Sequence, residues 1–480
     1  MKNMTLLNIA NACSGRLVCD NSDLHKEIKG IVIDSRLVRE DYLFIASRGE
    51  RVDGHDFIKA AYNQGAAAVI CEKAPADVPV PYILVENSLM ALKQIAEWYR
   101  MQLDITVIGI TGSVGKTSTK EFVSSVLAQK YCVHKTEGNY NNEIGLPLTI
   151  LQIKEEHEIA VLEMGISDFG EMHRLSKIAK PDYCLITNIG QCHLENLGSR
   201  QGVLKAKSEI FDFMKEKGRA ILNGEDDMLL TVREVKGRPP IRYGFNSEYD
   251  VWADNVKSHG LNGSSCDIHI KDEVFHVNIP MPGHHMVLNA LAAAAAGSLL
   301  GVTGQEIARG IEQIQPVSGR SHIIKHNNIT IIDDCYNANP VSMKAAIDLL
   351  ATVDTRKVAV LGDMGELGTD EMKLHKEIGK YAVSKNIDII LCVGKLSYYM
   401  YTGAMESLTG NADTPASKSS RQAFCNETSK DFPGRLLYFE SRDDLIRSLP
   451  DIIKDGDTVL IKASHFMGFD TIVKDLIKLI

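Results

Sequence analysis

The chain has 480 residues, of which 44% are hydrophobic and 24% charged, and its formal net charge at pH 7 is −9. A chain of this length is expected to form about three domains with ordinary packed cores. The excess of negative charge argues against electrostatic binding to nucleic acid or to an anionic membrane surface.

The cysteines and the apolar segments indicate the compartment. The ten cysteines are scattered without a C-x-x-C pair, which argues against a structural zinc site or thioredoxin-like chemistry. Free thiols are typical of a reducing compartment, so we expect a cytoplasmic protein. The N-terminal segment is broken by Asn8 and Asn11 and is unlike a signal peptide, and the alanine-rich stretch 290–300 is too short to span a bilayer. It predicts a tightly packed helix instead.

The first predicted domain, 1–100, is a small α/β unit. Apolar runs predict short strands at 28–33, 42–46, 67–71 and 82–85. The stretch 88–100 predicts a helix, because its apolar residues recur at helical spacing. We expect this helix to lead into the second domain.

The second predicted domain, 101–316, contains the most informative motif of the chain. An apolar run at 105–110 leads into a glycine-rich turn, and an amphipathic run follows; the turn comprises Thr111, Gly112, Ser113, Val114, Gly115, Lys116, Thr117 and Ser118. A strand, a glycine turn and a helix in this order are typical of a phosphate-binding loop, whose backbone N–H groups face phosphate oxygens. Lys116 is then expected to reach the β- and γ-phosphates, and the Thr117 hydroxyl to bind Mg²⁺.

Three further apolar strands of this domain, at 159–162, 183–186 and 220–222, each run into polar residues. These are Glu163, Thr187-Asn188 and Asn223. Because the carboxyl ends of parallel strands meet where ligands bind, we expect the three groups to converge. Glu163 is a candidate Mg²⁺ ligand, with a solvated strand end as the alternative. His193, just past a strand end, is either a metal ligand or a structural histidine. The stretch 251–282 predicts antiparallel strands.

The third predicted domain, 317–480, alternates strands with helices. Strands are predicted at 330–333, 357–361, 388–393, 435–439 and 458–462, which together give a doubly wound, Rossmann-like sheet. The segment 403–422 lacks aromatic residues and is rich in small and polar ones, so it predicts a mobile surface loop.

The phosphate loop departs from the general signature, which requires glycine where this chain has Ile110. Its compressed form, T-G-S-x-G-K-T-S, resembles the Mur ligase superfamily of ATP-dependent amide-forming enzymes. The resemblance covers essentially the whole chain, and its other motifs include D-S-R at 34–36, E-G-N-Y-N-N-E-I-G-L-P at 137–147, D-C-Y-N-A-N-P at 334–340, L-G-D-M-G-E-L-G at 361–368 and I-K-A-S-H-F-M-G at 461–468. It implies an α/β fold of three domains: a small N-terminal domain, a central P-loop ATPase domain with a mostly parallel sheet, and a C-terminal Rossmann-like domain.

The resemblance also assigns roles to single residues. In similar ligases the lysine in the place of Lys207 is carbamylated and becomes a metal ligand, whereas composition alone favours a solvated lysine. The places of Asn289, Arg320 and Asp334 respectively contact adenine, the nucleotide phosphates and the ribose. The resemblance further implies substrate contacts from Ser35, Arg36, Asn141, Asn142, Tyr336, Asn337, Lys462 and Ser464.

The implied reaction joins D-alanyl-D-alanine to UDP-N-acetylmuramoyl-tripeptide. ATP phosphorylates the substrate carboxylate to an acyl phosphate, and the amine of the dipeptide displaces phosphate. The resemblance implies two Mg²⁺ ions, the second held by His193 and carbamylated Lys207, and catalytic roles for Lys116, His193 and Lys207. We expect a monomer without a nucleic-acid partner or a membrane span.

Three alternatives stay open at the level of sequence. The chain is another Mur-type amide ligase with a different amino acid or acyl donor, a P-loop kinase that phosphorylates a hydroxyl, or a nucleotide-gated scaffold without turnover. Intact Lys116, Thr117, Glu163, His193 and Lys207 argue against the scaffold. The third residue of the peptide, lysine or diaminopimelate, is left open.

Overall fold

The computed structural model describes residues 1–49, 52–75, 78–409 and 434–479. Three sheets of five, nine and six strands follow one another along the described chain, each with helices packed against it. This arrangement confirms the predicted three-part α/β fold. No helix among the described residues is both long enough and apolar enough to cross a bilayer.

The first sheet has the strand order β1-β5-β4-β3-β2, and only β1 is antiparallel to its neighbour. The four predicted strands are present; β1, with only three residues, was not predicted. The elements are α1 Leu6–Ala12, β1 Arg16–Val18, β2 Gly30–Val32, β3 Tyr42–Ile45, α2 Ile58–Asn63, β4 Ala66–Cys71, β5 Tyr82–Leu84 and α3 Ser88–Gln102.

Helix α3 fastens the first sheet to the next part of the chain. The side chain of Asn87 caps its first turn by accepting the N–H of Met90 at 2.8 Å. Near its end, Tyr99 Oη donates to the carbonyl of Ile153 at 2.6 Å, and Arg100 Nε donates to the carbonyl of Ala179 at 2.9 Å. One continuous hydrophobic cluster therefore runs from the first sheet into the helices beneath the second.

The second sheet has the order β14-β13-β12-β11-β10-β9-β6-β8-β7; it is parallel from β12 to β7, and β12, β13 and β14 form an antiparallel meander. The elements are β6 Thr106–Thr111, α4 Lys116–Leu127, β7 Val133–Lys135, α5 Gly145–Leu151, β8 Ile159–Glu163, α6 Glu171–Ala179, β9 Tyr183–Ile186, α7 Leu194–Leu197, α8 Arg200–Ser208, β10 Arg219–Asn223, α9 Asp227–Leu230, β11 Ile241–Gly244, β12 Val251–Ser258, β13 Ser264–Ile270, β14 Glu273–Ile279, α10 His285–Leu299 and α11 Gly304–Glu312.

Small residues allow α10 and α11 to pack tightly on α4. A Cβ atom added to Gly297 would lie 2.8 Å from Val126 Cγ1, and one added to Gly310 would lie 2.5 Å from Val126 Cα. Phe122 and Val123 on α4 are fully buried. Burial of each such side chain stabilises the fold by about 1.5–3 kcal/mol, so the helix that begins at the glycine-rich loop is held firmly. The alanine-rich stretch is thus a buried helix, as predicted.

The third sheet has the order β15-β16-β20-β17-β18-β19, and only β15 is antiparallel. Separate hydrophobic clusters cover its two faces, as expected for a doubly wound sheet. The elements are β15 His322–His326, β16 Ile329–Asp333, α12 Pro340–Ala351, β17 Lys357–Gly362, α13 Glu371–Ser384, β18 Ile389–Val393, α14 Ser397–Thr409, β19 Arg435–Phe439, α15 Arg442–Ile452, β20 Thr458–Lys462 and α16 Asp470–Leu479.

The prediction of a surface loop at 403–422 is wrong for residues 403–409. Residues 403–409 belong to α14, where Gly403 and Ala404 are buried against α13. The small residues that suggested a loop serve close helix packing there: a Cβ atom on Gly403 would lie 2.2 Å from the carbonyl oxygen of Lys376. Residues 410–422 lie outside the described residues.

Candidate active site

A cavity of about 840 Å³ lies between the second and third sheets, and its lining includes residues from all three predicted domains. Helix α3 contributes Leu89 and Lys93. The carboxyl ends of β8, β9 and β10 contribute Glu163, Thr187, Asn188 and Asn223, which converge as predicted from their positions after apolar strands.

The glycine-rich loop forms part of the cavity wall, and its glycines are required by its shape. Gly112 has φ +152° and Gly115 has φ +82°, which side-chain-bearing residues rarely adopt. A Cβ atom on Gly112 would also lie only 1.9 Å from Thr187 Oγ1. The loop therefore passes directly against the end of β9.

Polar side chains at the end of β9 hold the loop in place. The carbonyl of Val114 accepts the Thr187 hydroxyl at 2.6 Å and the Asn188 amide at 2.9 Å. Asn188 Oδ1 in turn accepts the N–H of Val114 at 2.9 Å, and Ser113 Oγ accepts the N–H of Gly190 at 2.8 Å. The loop is thus preformed, as a phosphate cradle requires.

The Glu163 carboxylate lies beside the start of α4 and is almost fully buried. Thr117 Oγ1 donates to its Oε2 atom at 2.8 Å, and Asn141 Nδ2 donates to its Oε1 atom at 2.7 Å. Lys116 Nζ lies on the same wall and donates to the Gly112 carbonyl at 2.9 Å. The cavity thus brings together a hydroxyl, a carboxylate and an ammonium group beside the loop.

Lys120 is a buried lysine that supports Glu163 indirectly, through Thr136. The sequence analysis did not identify Lys120. It is 1% exposed, and its Nζ atom donates to the Thr136 carbonyl at 2.6 Å and lies 2.9 Å from Glu121 Oε1. Thr136 Oγ1 accepts the N–H of Glu163 at 2.9 Å. The available signal was the four-residue spacing from Lys116, which places both lysines on one face of α4.

His193 and Lys207, which are expected to bind a second metal ion together, differ in their position relative to the cavity. His193 lines the cavity, has φ +50°, and its Nδ1 atom lies 2.6 Å from Glu366 Oε2 on the opposite wall. This contact lowers the pKa of the Glu366 carboxyl. Lys207 is 1% exposed and does not line the cavity that the described residues enclose. Burial, and to a smaller degree the Lys116 charge, lower the pKa of Lys207 to about 8.

Most of the residues expected to bind the nucleotide line the cavity: 113–118 of the glycine-rich loop, Asn289, Arg320 and Asp334. Thr111 and Gly112 are not part of this lining in the described chain. Asn289 Oδ1 accepts the Thr119 hydroxyl at 2.9 Å. The Arg320 guanidinium lies 4.1 Å from the centre of the Tyr336 ring, and its buried Nε atom has no hydrogen-bond partner among the described residues. Asp334 Oδ1 accepts the N–H of Ser321 at 3.0 Å.

The residues expected to bind the other substrates divide into two groups. The lining includes Asn141, Asn142, Tyr336, Asn337 and Lys462 but not Ser35, Arg36 or Ser464, within the described part of the chain. The N–H groups of Lys462 Nζ are directed at Asp334 and at the carbonyl of Asn337, with distances of 2.6 Å to Asp334 Oδ2 and 2.9 Å to Asn337 O. Arg36 forms an ion pair with Asp34 on an exposed turn, with 2.6 Å between Nη2 and Oδ2.

The donor set beside the loop fits a hard cation. Thr117 and Glu163 present oxygen ligands, which Mg²⁺ prefers, while the structure contains no group of three or more His, Cys, Asp or Glu residues arranged for a metal among those described. Magnesium commonly binds through one or two protein oxygens together with substrate phosphates. The pair therefore fits a magnesium site that needs a nucleotide to be complete.

Comparisons with known proteins agree with this architecture. Three sequence families match in succession: the Mur ligase family catalytic domain at 27–100, the Mur ligase middle domain at 110–297, and the Mur ligase glutamate ligase domain at 319–465. The chain belongs to the Mur ligase family.

Its relatives include the UDP-N-acetylmuramoyl-tripeptide–D-alanyl-D-alanine ligase of Bacillus subtilis, which is 38% identical over 479 residues, or 99% of this chain and 98% of the relative. The enzyme of the same name from Escherichia coli is 35% identical over 84% of this chain and 89% of its own.

Two solved structures extend the comparison. MurF from Acinetobacter baumannii superposes with a TM-score of 0.86 at 31% identity, covering 99% of this chain and 98% of that one. MurF from Thermotoga maritima in complex with ADP has a TM-score of 0.78 at 29% identity, covering 94% and 97%.

Proposed function

We propose that this protein is an ATP-dependent ligase that joins D-alanyl-D-alanine to UDP-N-acetylmuramoyl-tripeptide, with ADP and phosphate as the other products. The observation that carries the proposal is the cavity in which the glycine-rich loop, Glu163, His193 and Arg320 meet between the second and third sheets. Full-length similarity to ligases of this name supports it, and so does the ADP complex of the Thermotoga relative.

The chemistry follows from the poor reactivity of a carboxylate, whose oxygen is a poor leaving group. Transfer of the γ-phosphoryl group of ATP to that oxygen gives an acyl phosphate. The neutral form of the dipeptide amine then attacks the carbonyl carbon and the new C–N bond forms. Phosphate leaves with the electrons of the C–O bond, and the nitrogen gives up a proton, which phosphate or water accepts. Lys116, beside the preformed loop, would stabilise charge on the phosphoryl oxygens.

Thr117 and Glu163 would hold one magnesium ion, because their oxygens already face each other in a buried position. The ion would supply charge neutralisation at the phosphates. In the same proposal Thr111, Gly112, Ser113, Val114, Gly115 and Ser118 complete the phosphate cradle, and Asn289, Arg320 and Asp334 contact the nucleotide. The unpartnered Arg320 Nε atom supports an anionic ligand on that wall.

Lys207 would act as a carbamate that, with His193, holds a second magnesium ion. Carbamate formation needs a neutral amine, and burial raises the neutral fraction by lowering the pKa of Lys207 to about 8. Lys207 is buried and is not among the described residues that line the cavity. A carbamate extends the side chain by three heavy atoms, which favours contact with the cavity wall.

The domains are proposed to divide the substrates. Residues 1–100 would bind the UDP group, with Ser35 and Arg36 as candidates; 101–316 would bind ATP; and 317–480 would close over ATP and receive the dipeptide. Asn141, Asn142, Tyr336 and Asn337 line the cavity where the acyl donor and the dipeptide would meet. We further propose that the enzyme acts as a cytoplasmic monomer.

The proposal is tested by phosphate release and mass spectrometry of the product. The purified protein is incubated with ATP, Mg²⁺, D-alanyl-D-alanine and UDP-N-acetylmuramoyl-tripeptides that carry either lysine or diaminopimelate at the third position. Free phosphate and a UDP-muramoyl-pentapeptide are expected only when all substrates are present. A stable phosphorylated product without an amide would support a kinase instead.

A further inference from the structure

The cavity is lined by seven described carboxylates, and they differ in what holds them. They are Glu143, Glu163, Glu171, Glu225, Asp226, Asp334 and Glu366. Three are paired with polar or cationic side chains. Glu163 accepts from Thr117 and Asn141, Glu143 from Lys93 and Arg174, and Asp334 from Lys462.

Three others accept backbone N–H groups. Glu171 Oε2 accepts from Ser167 at 2.7 Å, Glu225 Oε1 from Phe245 at 2.8 Å, and Asp226 Oδ2 from Ile189 at 2.8 Å. Each of these six carboxylates thus accepts hydrogen bonds from groups of the surrounding walls. Glu366 differs: its carboxylate lies 2.6 Å from His193 Nδ1 on the opposite wall, and its side chain is 61% exposed.

The backbone that carries Glu366 is nevertheless fixed. The N–H of Met364 donates to His375 Nε2 at 3.0 Å, and the N–H of Gly365 donates to Ser464 Oγ at 2.9 Å. Glu366 itself has φ +60°, a left-handed conformation that residues other than glycine rarely adopt. A rigid, strained backbone thus presents an exposed carboxylate to the cavity.

An exposed carboxylate in the cavity is suited to bind the dipeptide that supplies the nucleophilic nitrogen. The α-amino group of a peptide has a pKa of about 8, so the dipeptide arrives largely as an ammonium ion. A carboxylate is the natural partner of an ammonium ion. Lys462 and Ser464, for which the resemblance implies substrate contacts, are already hydrogen-bonded to Asp334, Asn337 and Gly365.

We propose that Glu366 binds the ammonium group of the incoming D-alanyl-D-alanine and exchanges its contact with His193 for one with the substrate. This inference rests on the proposed function and adds a binding residue to it. The dipeptide would thereby be oriented with its nitrogen toward the opposite wall, where the glycine-rich loop and Glu163 lie. Dipeptides without a charged amine would bind poorly.

Steady-state kinetics of Glu366→Gln test the proposal, because glutamine keeps the size and polarity and removes the charge. The KM for D-alanyl-D-alanine is expected to rise on the order of 10–100-fold, as for loss of one charge-assisted hydrogen bond. The KM values for ATP and for the UDP-linked substrate should stay within about twofold. Glu366→Asp should recover part of the loss, and Glu377→Gln, at an exposed site on α13, should resemble the unaltered enzyme.

A second experiment uses an uncharged analogue of the dipeptide. D-lactoyl-D-alanine carries a hydroxyl in place of the ammonium group and is measured as an inhibitor competing with the dipeptide. The unaltered enzyme should prefer the dipeptide on the order of 10-fold or more, and Glu366→Gln should lose most of this preference. Loss of the preference identifies an interaction between the side chain and the ammonium group, which a merely structural role would not affect.

Two outcomes would overturn the inference. An unchanged KM for the dipeptide in Glu366→Gln would show that the carboxylate does not bind it. An equal rise in all three KM values, with the analogue preference retained, would assign Glu366 to domain closure through His193. If the unaltered enzyme forms no amide product, the proposed function itself fails, and that result is distinguishable because it does not involve the variant.

Discussion

The two walls of the cavity are built differently. On the wall formed by the second sheet, Glu163 and the glycine-rich loop are fixed by several short hydrogen bonds, from Thr117, Asn141, Thr187 and Asn188. On the wall formed by the third sheet, the Glu366 side chain is exposed and reaches across to His193. The glycine-rich loop is therefore preformed, whereas the contact between Glu366 and His193 exists only where the two walls approach each other.

The largest effect should come from the preformed wall. Lys116→Ala removes the ammonium group nearest the loop and is expected to lower kcat on the order of 10³-fold, about 4 kcal/mol of transition-state stabilisation. Steady-state amide formation measures it, with Lys177→Ala at an exposed site on α6 as the control. A loss below about tenfold would contradict a role in phosphoryl transfer.

Buried Lys120, which contacts Thr136 and Glu121, should contribute to the stability of the fold. Lys120→Met leaves the Thr136 carbonyl and Glu121 without a buried cation and should lower the free energy of unfolding by about 3 kcal/mol. Urea denaturation measures this change. Lys135→Met is the matched control, because Lys135 pairs with the same Glu121 but is 39% exposed; its cost should be below about 1 kcal/mol. Equal costs would refute the supporting role of Lys120.

Replacement of Lys207 should increase the free energy of unfolding, unlike replacement of Lys120, because burial of the Lys207 ammonium group opposes folding. Its pKa falls from 10.5 in the unfolded chain to about 8 in the fold, so the unfolded chain binds more protons between these values. Unfolding free energy should therefore rise from about pH 8 to pH 10 in nucleotide-free, carbonate-free buffer. Lys207→Met should abolish this rise and stabilise the protein at pH 7 by about 3 kcal/mol, while ligase activity is lost.

Exposed Lys205 on the same helix provides the control for this measurement. Lys205→Met should leave the pH dependence of stability unchanged. A destabilised Lys207→Met variant with normal turnover would refute both the unfavourable burial and the carbamate.

The smallest effect is expected outside the cavity. Arg36→Ala removes an exposed guanidinium that pairs with Asp34, so stability should change by less than about 0.5 kcal/mol. If Arg36 contacts the UDP group, the KM for the UDP-linked substrate should rise about 3–10-fold while the KM for ATP is unchanged. An unaltered KM would place the UDP site elsewhere on the first sheet.

The same comparison explains what the sequence could predict. The loop, Glu163 and the polar residues after β9 and β10 were found because each follows an apolar run, and a parallel sheet brings such strand ends together. Glu366 was missed because its contact with His193 joins distant segments and no local period encodes it. Lys120 shares a face of α4 with Lys116, but its spacing alone does not show that it contacts the Thr136 carbonyl. The antiparallel strand β15 was missed because its residues alternate weakly and are only partly buried.

The packing of α3 against the second sheet has a consequence for the design of chimeras between members of this family. The first sheet and the base of the second share one apolar core through Tyr99 and its neighbours, whereas the third sheet has cores of its own. Exchange of the segment before α4 between relatives would bring mismatched side chains into that shared core. The C-terminal part is the natural unit of exchange, so chimeras joined after α11 should fold more readily than chimeras joined after α3.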